Sequence, residues 1–387
     1  MDKNKRGKPQ FIRKQKLKDV ADIDYGFAFN SDFFNEDGNG LPLVRIRDLK
    51  RGFTKTYTTE IFDERYLVDS GDMLIGMDGE FNLTVWQAGP ALLNQRVCRI
   101  RAKKSQVREG YLRFFLPVSL KHIEDRTSCV TVKHLSAKVL NEITLPNHSL
   151  TEQQALADKF IYIEKATTLA IKNSAYLDNL VKSRFNEMFG DALNSDNRWP
   201  EQTLGSMLDI ARGGSPRPIK SYLTNDSDGV NWIKIGDAVN GSRYIANTAE
   251  RIKLSGVKKS RLVHSGDFLL SNSMSFGRPY ILKTDGCIHD GWLVLQGVEE
   301  YFDSLFLYQL LASDDMLHKF RGLVRGGVVN NLNKDLVSTV SVMVPPMSMQ
   351  RDFASLVRQV DKLRFKTQQQ IEKLEMLKKS LMQEYFG

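Results

Sequence analysis

Two stretches of this chain carry apolar residues at helical spacing over long distances. In residues 151–189 they include Leu156, Phe160, Ile163, Ala170, Leu177 and Leu180. In residues 348–386 they include Phe353, Val357, Val360, Leu363, Ile371, Leu374, Leu377 and Leu381. Steps of three and four put such residues on one stripe of an α-helix. Neither stretch contains Pro, and Gly190 and Gly387 stand where a C-cap is expected. Each follows a Pro-containing turn and offers a Ser cap, Ser149 in "SLTEQQ" and Ser348 in "MSMQRD". About 35 helical residues extend roughly 50 Å, at about 1.5 Å per residue. Polar Asn173, Arg184 and Gln370 interrupt the stripes, and such positions set register when helices pair.

The remaining sequence has a different pattern. Short β-rich runs (73–75, 97–100, 268–270 and 292–295) lie between Gly, Asp and Asn turns. One helix is expected over residues 111–123 and one over 303–320. This is an α+β reading.

The two halves repeat one another. "LVDSGDMLIG" from Leu67 returns as "LVHSGDFLLS" from Leu262, 195 residues later. "LVRIRDL" (43–49) answers "WIKIGDA" (232–238), "YLRFFL" (111–116) answers "FLYQLL" (306–311), and "LDNLVKSRFNEMFG" (177–190) answers "LEMLKKSLMQEYFG" (374–387). A period of this size is a duplicated domain, not a solenoid unit. The expected layout is a basic N-terminal tail at 1–16, a domain at 17–150, a helix at 151–191, a second domain at 192–347 and a second helix at 348–387. If a pseudo-twofold axis relates the copies, the helices run antiparallel.

Composition narrows the partners. Across 387 residues, 55 Lys+Arg stand against 46 Asp+Glu, a net +9 that suits a polyanion such as nucleic acid. Residues 1–18 alone carry eight basic side chains and one acid, Asp2. No apolar run approaches a membrane span, and the N-terminus has no signal-like core, so a cytoplasmic protein without membrane contact is expected. The three cysteines, Cys98, Cys129 and Cys287, suggest no disulfide framework.

"ARGGSPRP" (211–218) lacks the spacing of a nucleotide-binding loop and reads as a turn that either touches phosphate or is a plain turn. Cys287, His289 and His264 are too loosely spaced for zinc. No nucleophile elbow, Gly-rich cofactor loop or flipped-base motif appears. The chain is expected to be no enzyme, with no catalytic, metal or cofactor residues of its own.

Order and repetition together resemble the specificity subunits of type I restriction–modification systems. The carriers are "GDMLIG" and "GDFLLS", the "LP…LTEQQ" and "VPP…SMQRD" helix entries, and the two "FG" endings. The resemblance implies two target-recognition domains joined and separated by two long antiparallel coiled-coil helices. It implies double-stranded DNA as ligand, two methyltransferase subunits as partners, and restriction subunits that join to make the nuclease. S-adenosylmethionine, and ATP with Mg for restriction, then belong to those partners.

Under that resemblance, loops that follow matching strands but differ between copies are the candidate readers. They are Met77, Asp78, Glu80 and Asn82 against Asn272, Ser273, Ser275 and Arg278. Next come Asn94, Gln95 and Arg96 against His289, then Lys133 and His134 against Arg325, Asn330 and Asn331. Arg suits guanine, Asn and Gln suit adenine, and Asp and Glu suit cytosine. Each could equally be an ordinary turn residue. Two other classes stay open: a self-contained methyltransferase or nuclease, and a bivalent protein scaffold.

Overall fold

The computed structural model describes residues 14–127, 133–190, 198–239, 241–272, 277–325 and 331–387. The chain forms two units, residues 1–171 with 368–387, and residues 172–367.

In the first unit, strands Ala21–Tyr25, Val97–Ala102, Met73–Gly76 and Leu83–Val85 form a four-stranded antiparallel sheet in that order. Met73–Gly76 is buried along its whole length, which is why it reads as an unbroken apolar run. A five-stranded sheet of short pieces follows the order Phe34–Asn35, Tyr57–Thr58, Leu41–Val44, Ala91–Leu93, Leu67–Val68. Its one parallel pair sets Leu43 opposite Leu92. Lys14–Lys16, the end of the basic segment, pairs with Thr144–Pro146. Helix Glu109–Arg126 buries Tyr111, Leu112, Phe115 and Leu116 in one core with Ile75 and Ile100. Cys98 joins that core, and burial pushes its thiol up to about 12, so it is an inert packing residue.

The second unit repeats the scheme. Asp209–Arg212, Trp292–Gln296, Phe268–Ser271 and Pro279–Leu282 form the first sheet, and Tyr244–Ile245 adds a parallel fifth strand. Leu223–Thr224, Glu250–Ile252, Val230–Ile233, Gly286–Ile288 and Arg261–Val263 form the second, with Trp232 parallel to Cys287. Where one helix was expected over 303–320, there are two, Ser304–Leu311 and Asp314–Arg325. Ser313 causes the break: its Oγ accepts the Met316 N–H at 3.2 Å, capping a new helix.

The long helices are Leu150–Phe189 and Met347–Phe386, 40 residues each, or about 60 Å. In the first unit, Lys378 pairs with Glu164 at 2.8 Å while Phe386 stacks on Phe160 at 5.6 Å. In the second, Arg364 pairs with Asp178 while Phe185 meets Phe353 at 5.4 Å. In each unit one number rises as the other falls, so the packed segments are antiparallel. Ser149 caps as expected: its Oγ accepts the Glu152 N–H at 3.3 Å, and Glu152 accepts the Ser149 N–H at 2.8 Å. Ser348 does not cap. The Met349 and Gln350 N–H groups instead donate to Pro346 O, which places Ser348 inside the first turn.

A fully buried glutamine in that first turn ties each long helix to its domain. Gln153 accepts the Arg108 N–H at 2.8 Å and donates to His148 O at 2.8 Å. Gln350 accepts the Asp303 N–H at 2.9 Å and donates to Pro345 O and Tyr301 O. Arg108 and Asp303 are the N-caps of the domain helices, so each clasp satisfies an orphan helix donor.

Candidate nucleic-acid interface

Both units hold their variable loops on the same backbone frame. The Met77 N–H donates to Arg96 O at 3.0 Å, and the Leu135 N–H donates to Met77 O at 2.7 Å. In the second unit the Asn272 N–H donates to Gly291 O and the Leu332 N–H to Asn272 O, both at 3.0 Å. Three distant segments are thereby laced together at one end of each domain. A glycine lets a further segment pass close beside each frame. A Cβ on Gly26 would lie 2.1 Å from Asn94 O, and one on Gly213 would lie 2.2 Å from His289 O.

On the first frame, Asp78, Arg96 and His134 converge. Asp78 Oδ1 lies 2.6 Å from His134 Nδ1, and Oδ2 lies 3.3 Å from Arg96 Nε. The Gly79 N–H donates to Lys133 O at 2.8 Å, fixing the turn beside them. Glu80 bonds Lys50 at 2.5 Å and accepts from Asn82 at 3.1 Å; these bonds, Lys50 first, hold its carboxyl below the usual range. Lys133 turns inward and donates to Glu124 O at 2.6 Å. Asn94 accepts the Gln95 N–H at 2.7 Å, which makes it a tip-shaping residue, while Gln95 itself is exposed. Met77 is buried in the core.

The second frame is furnished differently. Asn272 is buried, and its Nδ2 donates to Asp290 O at 2.9 Å. His289 Nδ1 accepts the Gly291 N–H at 2.9 Å, which leaves the proton on Nε2, 2.9 Å from Asp290 Oδ1. Asp290 also accepts from Ser215 Oγ at 2.8 Å and faces Arg217 at 3.4 Å, while Arg212 Nε donates to Asp290 O at 3.0 Å. Burial works to raise the Asp290 carboxyl, but the Ser215 bond and the neighbouring cations outweigh it and hold it low. Beside this cluster lies a cavity of about 340 Å³, lined in part by Arg217, Trp232, Lys234, Glu250 and His289. Arg278 and Asn331 are exposed. Ser273, Ser275, Asn330 and the Arg325 side chain lie outside the described residues.

Of the residues expected to read DNA, the structure gathers Asp78, Arg96 and His134 into one cluster and sets Glu80 beside Asn82. His289 is gathered with Arg212, Ser215, Arg217 and Asp290. Met77 and Asn272 are buried. Lys50, Glu124 and Gly26 carry no motif that marks them beforehand, and Gly213 stands out only as part of "ARGGSPRP". A signal existed for the glycines in the repeat, since "LKDVADI" (17–23) recurs as "LGSMLDI" (204–210) and each glycine falls three residues after its Asp-Ile pair. Among the described residues, no three His, Cys, Asp or Glu side chains group as metal ligands, and no helix is long and apolar enough to cross a membrane.

One α/β frame used twice, each time presenting a polar tip and each time leading into a 40-residue helix, defines a duplicated recognition protein. The family described as "Type I restriction modification DNA specificity domain" matches residues 12–176 and 197–376. The type I restriction enzyme EcoBI specificity subunit of Escherichia coli is 46% identical over 140 residues, spanning 36% of this chain and 30% of that protein. The type I restriction enzyme MjaVIII specificity subunit of Methanocaldococcus jannaschii is 18% identical over 96% of this chain and 95% of its own. Among solved structures, a chain from a type I restriction–modification complex superposes with a TM-score of 0.64 at 17% identity, covering 97% of both chains. The specificity subunit of M. genitalium does so at 0.57 and 12% identity, covering 97% and 96%. The chain belongs to the type I restriction–modification DNA specificity family. It is a DNA specificity subunit, the non-catalytic component of such a complex, rather than a self-contained enzyme or a protein scaffold.

Proposed function

We propose that each domain reads one half of a bipartite, asymmetric site in double-stranded DNA, while the paired helices fix the unread gap. Phosphate contacts from the basic surface position the chain, and the loop tips supply base contacts. In the first domain the readers are Glu80, Asn82, Gln95, Arg96 and His134, and Asp78, which faces both Arg96 and His134, positions them. In the second the readers are Arg278, His289 and Asn331, together with Ser273, Ser275, Arg325 and Asn330. Two methyltransferase subunits dock on the helices, where Tyr162 and Leu169 in the first unit and Tyr176 and Phe365 in the second are exposed. Restriction subunits join to complete the nuclease. The partners bind S-adenosylmethionine, and ATP with Mg.

The observation that carries this reading is the shared lacing of residues 77, 96 and 135 and of 272, 291 and 332 beneath unlike tips. A constant frame with divergent tips is what two different half-sites require. The test is a duplicated-domain chain in which residues 17–150 are replaced by a copy of 204–347, assembled with its methyltransferase subunits. Mapped methylation should become palindromic, with the second domain's half-site repeated. Retention of the original asymmetric motif would refute the assignment of one half-site to each domain.

A further inference from the structure

We propose that Arg96 reads a guanine in the first domain's half-site, with Asp78 as its positioning residue; this rests on the DNA-reading role proposed above. Guanine offers two adjacent major-groove acceptors, which match the two terminal nitrogens of an arginine fork. The Arg96 nitrogen nearest the carboxylate is Nε, 3.3 Å from Asp78 Oδ2. The carboxylate thus holds the guanidinium from the side and leaves its terminal nitrogens for an outside acceptor. His134 takes the other oxygen at 2.6 Å, so Asp78 is itself held. The Arg96 side chain is 55% exposed, whereas Asp78 beneath it is 26% exposed. The backbone bonds from Met77 to Arg96 and from Leu135 to Met77 fix all three segments before any ligand arrives, which lowers the ordering cost of binding.

The second domain carries a chemically similar trio, but its geometry differs. Arg217 approaches Asp290 through Nη2 at 3.4 Å, spending one terminal nitrogen, and Gly291 stands at the position of Arg96. The guanine assignment is therefore confined to the first domain.

The experiment uses the full chain assembled with its methyltransferase subunits in cells, with methylated adenines mapped for wild type, R96A, R96K, D78A and D78E. R96A and R96K should each relax one G·C pair in one half-site, losing roughly 10- to 100-fold discrimination there, with the other half-site unchanged. D78A should relax the same pair more weakly, and D78E should restore it. An unchanged motif, relaxation at an A·T pair, or a uniform fall in methylation with the motif intact would overturn the proposal. The last outcome would make Arg96 a phosphate contact. Complete loss of methylation in both arginine variants would also overturn it. A wild-type motif that is not bipartite would instead refute the underlying reading, whatever Arg96 does.

Discussion

At the centre of its first sheet, the first recognition unit carries Arg99, only 4% exposed, bonded to Asp24 at 2.8 Å and Asp72 at 3.2 Å. At the same place in the second unit stands Val294, paired across the sheet with Ala211 instead of Asp24. The third member persists as Asp267, which there accepts from neutral Gln296 at 3.0 Å. One frame therefore tolerates either a buried ion cluster or an apolar centre. A buried pair is expensive to desolvate and weak evidence of stability, but removing one member alone is costly. The pair of domains is a natural double substitution. It shows that the strand order, and not the polar centre, holds the tips in place.

That comparison can be broken. Arg99→Val alone removes the buried cation between two carboxylates, leaving Asp24 with Arg101 and Asp72 with the Asp69 N–H, and should cost about 1–3 kcal/mol, read as a lowered unfolding transition. Adding Asp24→Ala, which copies the second unit, should recover more than half of the loss. A double variant no more stable than the single would show that the two sheets are not interchangeable.

The glutamine clasps should respond alike in the two units. Gln153→Leu and Gln350→Leu each leave a buried helix N–H unpaired, at a cost of about 1–3 kcal/mol. Hydrogen exchange at the Arg108 and Asp303 amides should rise correspondingly. A large effect from only one of them would show that the clasp is structural in one unit alone.

The helix starts should respond differently. Ser149→Ala removes a reciprocal cap and should cost about 1 kcal/mol. Ser348→Ala should change the melting temperature little, because that hydroxyl caps nothing. Equal effects would contradict the cap assignment.

Much of this architecture was legible in the chain itself. Apolar spacing marked both long helices to within one residue of Leu150 and Met347, and the repeat marked the paired strands. Periodicity sees only local neighbours, however. Met77 and Asn272 follow their strands as expected, but their burial was not legible, because their backbone partners, Arg96, Leu135, Gly291 and Leu332, are far along the chain. The Arg99 cluster was invisible for the same reason, since Asp24 lies 75 residues away. The break at Ser313 was missed because a serine hydroxyl within an apolar run can cap a helix or simply ride along one.

The central claim is two unlike readers on a helical ruler, and the most direct measurement is single-molecule mapping of methylated adenines with lengthened helices. Four residues inserted after Ser174 and four after Thr367 add about 6 Å to each helix. At ~3.4 Å per step, the unread gap should grow by about one to two base pairs, with both half-sites unchanged. A gap of the original length, in a complex that still methylates, would contradict the account.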